Sequence, residues 1–308
     1  MSSLRISVLL TALMLCFCFA TAVDAAPRVF VALHGNDANP CSSLSPCRTI
    51  NHGLAVVDTL GEVVISESGD YDNVVIAKSI TIVAAPGIYA GISAEKLDGI
   101  DIIRLSIADV VTLRNLTIKG TSTASGLNGI SNDSAGNLFI DGCYISGVTT
   151  GILNSAPGKM TVHDSTVRSC QIGINVNSPV GVINNTLVDN SVAERNNIGI
   201  HAGSNARITV HNCSLFSNSG SGVRVTSEFS GIQAEANIEG SVFHSNNVGV
   251  VVGGNNGGTG VARLSKNTIS KNLTGVEVGS GTVYSLQDNI IVSNNVDIVG
   301  ALTPLSYN

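Results

Sequence analysis

His201 and Arg224 lie 23 residues apart, and each occupies the same place in a local pattern. Gly comes first, then Ile or Val, then the residue in question, then a small or β-branched residue: Gly199-Ile200-His201-Ala202 and Gly222-Val223-Arg224-Val225. If that pattern repeats in space, an imidazole and a guanidinium become neighbours. Such a pair suits a ligand that carries a carboxylate. The guanidinium grips a carboxylate in two-pronged geometry, and the imidazole is placed to take an adjacent proton. Asn175 and Glu277 hold the same place in their own segments. Two stretches of extra length, Asn190–Ile198 with Glu194 and Arg195 and Thr226–Glu235 with Glu228, fall in the segments around His201 and Arg224. Long insertions of this kind often carry function. The expected ligand contacts are therefore Asn175, Glu194, Arg195, His201, Arg224 and Glu277, with His201 and Arg224 as the catalytic pair if there is chemistry.

The positioning elements follow from the repeat itself. Gly129, Gly151, Gly173, Gly199, Gly222, Gly249 and Gly275 recur at intervals of 22–27 residues. A period in this range is the signature of a solenoid. Within each period apolar residues alternate, as at Ile174 and Val176 or Met160 and Val162, which is the spacing of strands. The inward residues are mostly aliphatic and β-branched, the types that suit a pleated surface. A leucine-rich repeat would need a sustained L-x-x-L-x-L-x-x-N pattern, and none is kept. The reading is a coil of three short strands per period.

Stacking these coils predicts columns. The residue after Gly-Ile/Val gives an outward column of Ser131, Leu153, Asn175, His201, Arg224, Val251 and Glu277. A second outward column reads Asp141, His163, Ile183, His211, Glu239, Ser265 and Gln287. Its acid–imidazole neighbours could support proton transfer, although outward positions must be polar in any case. An inward column reads Ile145, Val167, Leu187, Leu215, Phe243, Ile269 and Ile291. Turn columns collect Asn115, Asp164, Asn184, Asn212 and Asp288, and Asn190, Asn218, Asn246, Asn272 and Asn294. Asn tolerates left-handed backbone, and stacked Asn amides can bond along the axis.

The G-[IV]-x-[VI] … N-x-[ST]-[IVL] … x-x-N coils from about Val29 to Val296 resemble the right-handed parallel β-helix proteins of the pectin-lyase-like superfamily. The resemblance implies an all-β fold and a carbohydrate-related role. That superfamily holds pectate lyases, polygalacturonases, pectin methylesterases, phage tailspikes and β-helix proteins with no known activity. The opening of the repeat, a helix, then G-x-Y, then K-S-I-T-I, is similar to that of the methylesterases. Their Gln-Asp-Asp-Arg set has no counterpart here, nor do the lyases' tight Asp cluster and the polygalacturonases' Asp trio with Gly-His-Gly. The resemblance thus implies either a non-catalytic polysaccharide-binding or surface-scaffold protein, or a lyase-like enzyme on a uronic-acid polymer. No cofactor and no metal set is read from the sequence.

Charged residues make up 12%, with 16 basic against 22 acidic side chains. No basic patch exists to neutralise phosphates, which argues against nucleic acid. Residues 1–25 read as a signal peptide: Arg5, an apolar run from Ile6 to Ala20, and small residues before cleavage. No second apolar run follows, so no integral membrane segment is expected after cleavage, and the expected location is secreted or periplasmic. Residues 26–60 supply an N-terminal strand, a Cys41–Cys47 loop and a short amphipathic helix over Thr49–Leu60 that caps the stack. Residues 61–296 are coils and 297–308 a C-terminal tail. In an oxidising compartment Cys41 and Cys47 form a local disulfide; a metal site there would have only His34 and His52 to complete it. Cys143, Cys170 and Cys213 are expected to be buried small hydrophobes.

Overall fold

The computed structural model describes residues 26–305 apart from 122, 124, 125, 135, 179 and 180. The expected signal peptide lies outside the described residues. The chain winds into three parallel sheets. The first has 12 strands, beginning with Ala26–Val31 and Val57–Ile65 and ending at Leu302–Pro304; the second and third have 10 each. The second sheet carries the Gly-Ile/Val strands, from Val74–Ile76 to Val296–Val299. Every pairing between coils is parallel and one turn apart in sequence, as at Ile174↔Ile200 and Ile145↔Val167.

One helix, α1 (Ile50–Val56), sits at the N-terminal end. Thr49 caps it by accepting from the His52 N–H. Ile50, Gly53 and Leu54 are buried, and Gly53 faces Val29, Val31 and Val63 of the first two strands. The helix therefore shields the open end of the apolar column. It is shorter than the periodicity suggests, because residues 57–65 are drawn into the first sheet. Cys41 and Cys47 are bridged, with Cα atoms 4.6 Å apart. Cys143, Cys170 and Cys213 are buried thiols, and burial pushes their pKa values up to about 12, about 11 and about 11.

Two turn columns hold the coils in register. In the first, Asn115, Gly142, Asp164, Asn190, Asn212, Gly240, Lys266 and Gln287 all take φ between 47° and 64°. This is the left-handed region, where Asn, Asp and Gly are most at home. In the second, Asn196, Asn218, Asn246, Asn272 and Asn294 form a ladder. From Asn218 onward, each Oδ1 accepts the backbone N–H of the Asn one coil earlier at 3.0 Å. Each Nδ2 donates to the next Oδ1 or to a strand carbonyl. Polar groups that a dry turn would strand are thus satisfied along the axis.

The coil from Gly173 to Ile198 corrects the expected register. Its extra residues lie at 177–183, before the strand Asn184–Asp189, and not at Asn190–Ile198. Its members of four columns shift as a result. Ala193, not Leu187, stacks between Val167 and Leu215. Asp189, not Ile183, stands between His163 and His211. Asn190, not Asn184, joins the left-handed column, and Asn196 takes the place given to Asn190 in the ladder. The physical reason is an inverted polarity pattern. Asn184 and Thr186 point inward, where Asn184 Nδ2 donates to the Ala156 carbonyl and Thr186 Oγ1 donates to Asn184 Oδ1. Leu187 faces out at 37% exposure. Near the C-terminal end, Gln287 and not Asp288 is the left-handed residue. Asp288 instead accepts from the Lys266 N–H and the Ser265 hydroxyl, and so ties its turn to the coil before it.

Candidate functional site

The second sheet's outer face brings together Ser131, Leu153, Asn175, His201, Arg224, Val251 and Glu277, one per coil. Strand spacing of about 4.8 Å makes His201 and Arg224 true neighbours. Two of the strands run longer than the rest. Ser221–Ser227 and Val248–Gly254 span seven residues against five for Ile198–Ala202, and they continue pairing at Thr226↔Gly253 and Ser227↔Gly254. The loops after them rise beside the sheet and turn a flat face into a groove. One end of the groove is a cavity of about 450 Å³ around Arg224, Val251, Glu277 and Ser280. The other, about 270 Å³, is lined by Asn175, Asn177, Ser204 and Phe229. Ile172, His201, Thr226 and Glu228 line both.

His201 is clamped. Its Nδ1 lies 3.0 Å from Asn175 Oδ1, and its Nε2 lies 3.0 Å from Thr226 Oγ1. The neutral imidazole fits both partners: Nδ1–H donates to the amide oxygen, and Nε2 accepts from the hydroxyl. Burial, with Arg224 repulsion second, pulls its pKa down to about 4. Arg224 is the opposite case. It is half-buried, forms no ion pair among the described residues, and its Nε is buried without an acceptor. The Nε–H is closed off inside the protein, but the side chain lines the groove without an ion pair, and its outer N–H groups are the place for an acceptor from outside.

Glu194 and Arg195 are not brought to this groove. Glu194 lies in the strand Val192–Glu194 of the third sheet and pairs with Arg168 at 3.2 Å. Arg195 is a left-handed turn residue, φ 54°. The misplaced insertion is the reason. Thr226, Asn177, Phe229 and Ser280 line the groove without having been among the expected ligand contacts. The extra length at Thr226–Glu235, with Glu228, was the legible signal.

The first sheet's outer rim carries a different row: Arg114, Asp141, His163, Asp189, His211 and Glu239. His163 Nδ1 is 3.1 Å from Asp141 and His211 Nδ1 is 2.8 Å from Asp189. The hydrogen bond to Asp141 is the first cause of a raised His163 pKa. Asp141, His163 and Asp164 bring one ligand atom each within 4.8 Å of one another, a spacing that a metal ion could bridge. Their charges already answer one another, with Arg114 3.7 Å from Asp141. The row is a solvated ion ladder.

The sequence profile described as a right handed beta helix region matches residues 64–238. The chain belongs to the right-handed β-helix family. No curated protein sequence matches it. Solved β-helix structures do. A complex of XylC with xylose aligns at TM-score 0.56 and 11% identity, covering 83% of this chain and 68% of that one. Pectate lyase Pel9A aligns at 0.51 and 19%, covering 90% and 73%. The Azotobacter vinelandii mannuronan C-5 epimerase AlgE6 A-module aligns at 0.54 and 14%, covering 80% and 88%. At these identities the likeness establishes the β-helix fold alone. Among the described residues no helix of this β-helix protein is long and apolar enough to cross a membrane.

Proposed function

We propose that this β-helix protein is a non-catalytic glycan-binding protein that holds an extracellular acidic polysaccharide along the groove of Asn175, His201, Arg224 and Glu277. The observation that carries the reading is Arg224: a half-buried cation with no ion pair among the described residues, lining an open groove of amides, hydroxyls and carboxylates. A sugar carboxylate pairs with the outer N–H groups of the guanidinium in two-pronged geometry. Asn175, Thr226 and Glu277 suit sugar hydroxyls. The β-helix structures similar to this chain include proteins named for pectate and mannuronan and one bound to xylose, which supports a carbohydrate as the partner of this scaffold.

The alternative, a lyase using His201 as base, fits the groove less well. Both ring nitrogens are engaged, and a base with a pKa of about 4 has little pull on a carbon-bound proton at neutral pH. Titration of acidic polysaccharides against wild type and Arg224→Ala tests the proposal. Losing a charge-assisted pair should weaken binding by roughly 10- to 100-fold. Equal binding by both proteins removes the site. An absorbance scan for unsaturated uronides over the same panel should stay flat; a rising signal that Arg224→Ala abolishes would establish the lyase instead.

A further inference from the structure

The two ends of the groove differ in chemistry. At the Arg224 end the guanidinium is the one cation lining the cavity, and Glu228 and Glu277 are its anions. Glu277 stands two coils from Arg224, with Val251 between them, and forms no ion pair with it. At about 4.8 Å per coil that places their Cα atoms roughly 10 Å apart. The other end holds no cation. Its lining is Asn175, Asn177, Gly203 and Ser204, with Phe229 at the rim, 55% exposed on the loop that follows the long strand. Glu228 stands where the two ends meet.

The distribution of charge across this groove restricts the ligand. One carboxylate can be answered, at Arg224. A second carboxylate, displaced toward either end of the groove, approaches Glu228 or Glu277 with no cation to offset it, and a like-charge contact of this kind is a strong discriminator between partners. A neutral sugar meets no such penalty. Its ring offers an apolar face to the Phe229 side chain and its hydroxyls face amides and a hydroxyl, the usual composition of a sugar pocket.

Resting on the glycan-binding reading, we infer that the preferred ligand is a mixed heteropolysaccharide in which a single uronate is flanked by neutral sugars. The uronate sits on Arg224, and a neutral neighbour lies under Phe229. Glu228 is the specificity-determining residue that rejects continuous polyuronates. Asn175, His201 and Arg224 run along the axis, so the chain lies parallel to the helix axis with its neutral end toward Asn177.

Three oligosaccharides of equal length test this by calorimetric titration: an oligouronate, a neutral oligosaccharide, and one with a uronate between neutral sugars. The mixed oligosaccharide should bind at least about tenfold more tightly than either of the others. Phe229→Ala, on an exposed loop, should weaken the mixed ligand by about tenfold and leave the oligouronate unchanged. Glu228→Gln should narrow the gap by improving the oligouronate. If the oligouronate binds as well as the mixed ligand in wild type, or Glu228→Gln leaves its affinity unaltered, the inference falls while the groove stands, provided Arg224→Ala still weakens both. If no acidic oligosaccharide responds to Arg224→Ala, the groove assignment falls and this inference with it.

Discussion

His201 offers the sharpest physical test of the groove. Its pKa in the folded protein is about 4, against an ordinary value of 6.5, because burial penalises the charged ring and Arg224 adds repulsion. A pKa difference of one between the folded and unfolded chains corresponds to about 1.4 kcal/mol, so the whole displacement amounts to about 3 kcal/mol as a ceiling. The sign is fixed by which state takes up the proton. Below pH 6.5 the unfolded chain binds a proton at His201 and the folded chain does not. Folded stability is therefore fully present above that pH, falls as pH drops, and levels off near the folded pKa. Urea unfolding of wild type and His201→Gln at several pH values isolates the effect, since all other groups cancel in the difference. The stability of wild type relative to the variant should decline by up to about 3 kcal/mol between neutral pH and about pH 4. An imidazole titration followed by NMR should place the midpoint well below the ordinary range. It should climb when an acidic glycan is added, because a carboxylate on Arg224 cancels the repulsion. A midpoint near 6.5 in the free protein would refute the account of a buried, clamped ring.

Two further outcomes test the packing. Leu215→Ala, at a side chain with no exposed surface, should cost about 2–5 kcal/mol in chemical denaturation, whereas Leu187→Ala, on the outer face, should stay within about 0.5 kcal/mol. Similar costs for both would mean the coil from Gly173 to Ile198 is registered the other way. Asn246→Ala should cost about 2–4 kcal/mol, because it leaves the Asn218 N–H and Nδ2 without their acceptor at 3.0 and 2.9 Å. A loss below about 0.5 kcal/mol would show that water replaces the ladder.

Much of the fold was legible because a solenoid states its rule many times. Seven Gly-Ile/Val segments, the apolar alternation and the Asn positions each vote for the same register, so an error in one coil does not spread. The column containing His201 and Arg224 emerged intact for this reason. The coil that misled most did so through a local exception. Asn184 and Thr186 point inward and satisfy each other and a carbonyl, while Leu187 points out. A binary pattern cannot see that a buried amide has found its partners.

The site was less legible than the fold because a groove depends on where extra residues go, and length alone does not say. In the coil before His201 the extra length lies at 177–183, so Glu194 and Arg195 belong to the third sheet and its turn and play no part in the groove. In the coil of Arg224 the long strand itself carries Thr226 to His201, and the extra length that follows it places Glu228 and Phe229 along the rim. Both insertions leave from the same corner, between a second-sheet strand and the first-sheet strand that follows it. What differs is the strand before the extra length: Ile172–Val176 has five residues and Ser221–Ser227 has seven, so the second insertion starts farther out and gives the groove Glu228 and Phe229, while the first gives it Asn177. The chemistry of the outer column was written in its residue types; that it is a groove and not a flat face is a consequence of two strands each seven residues long.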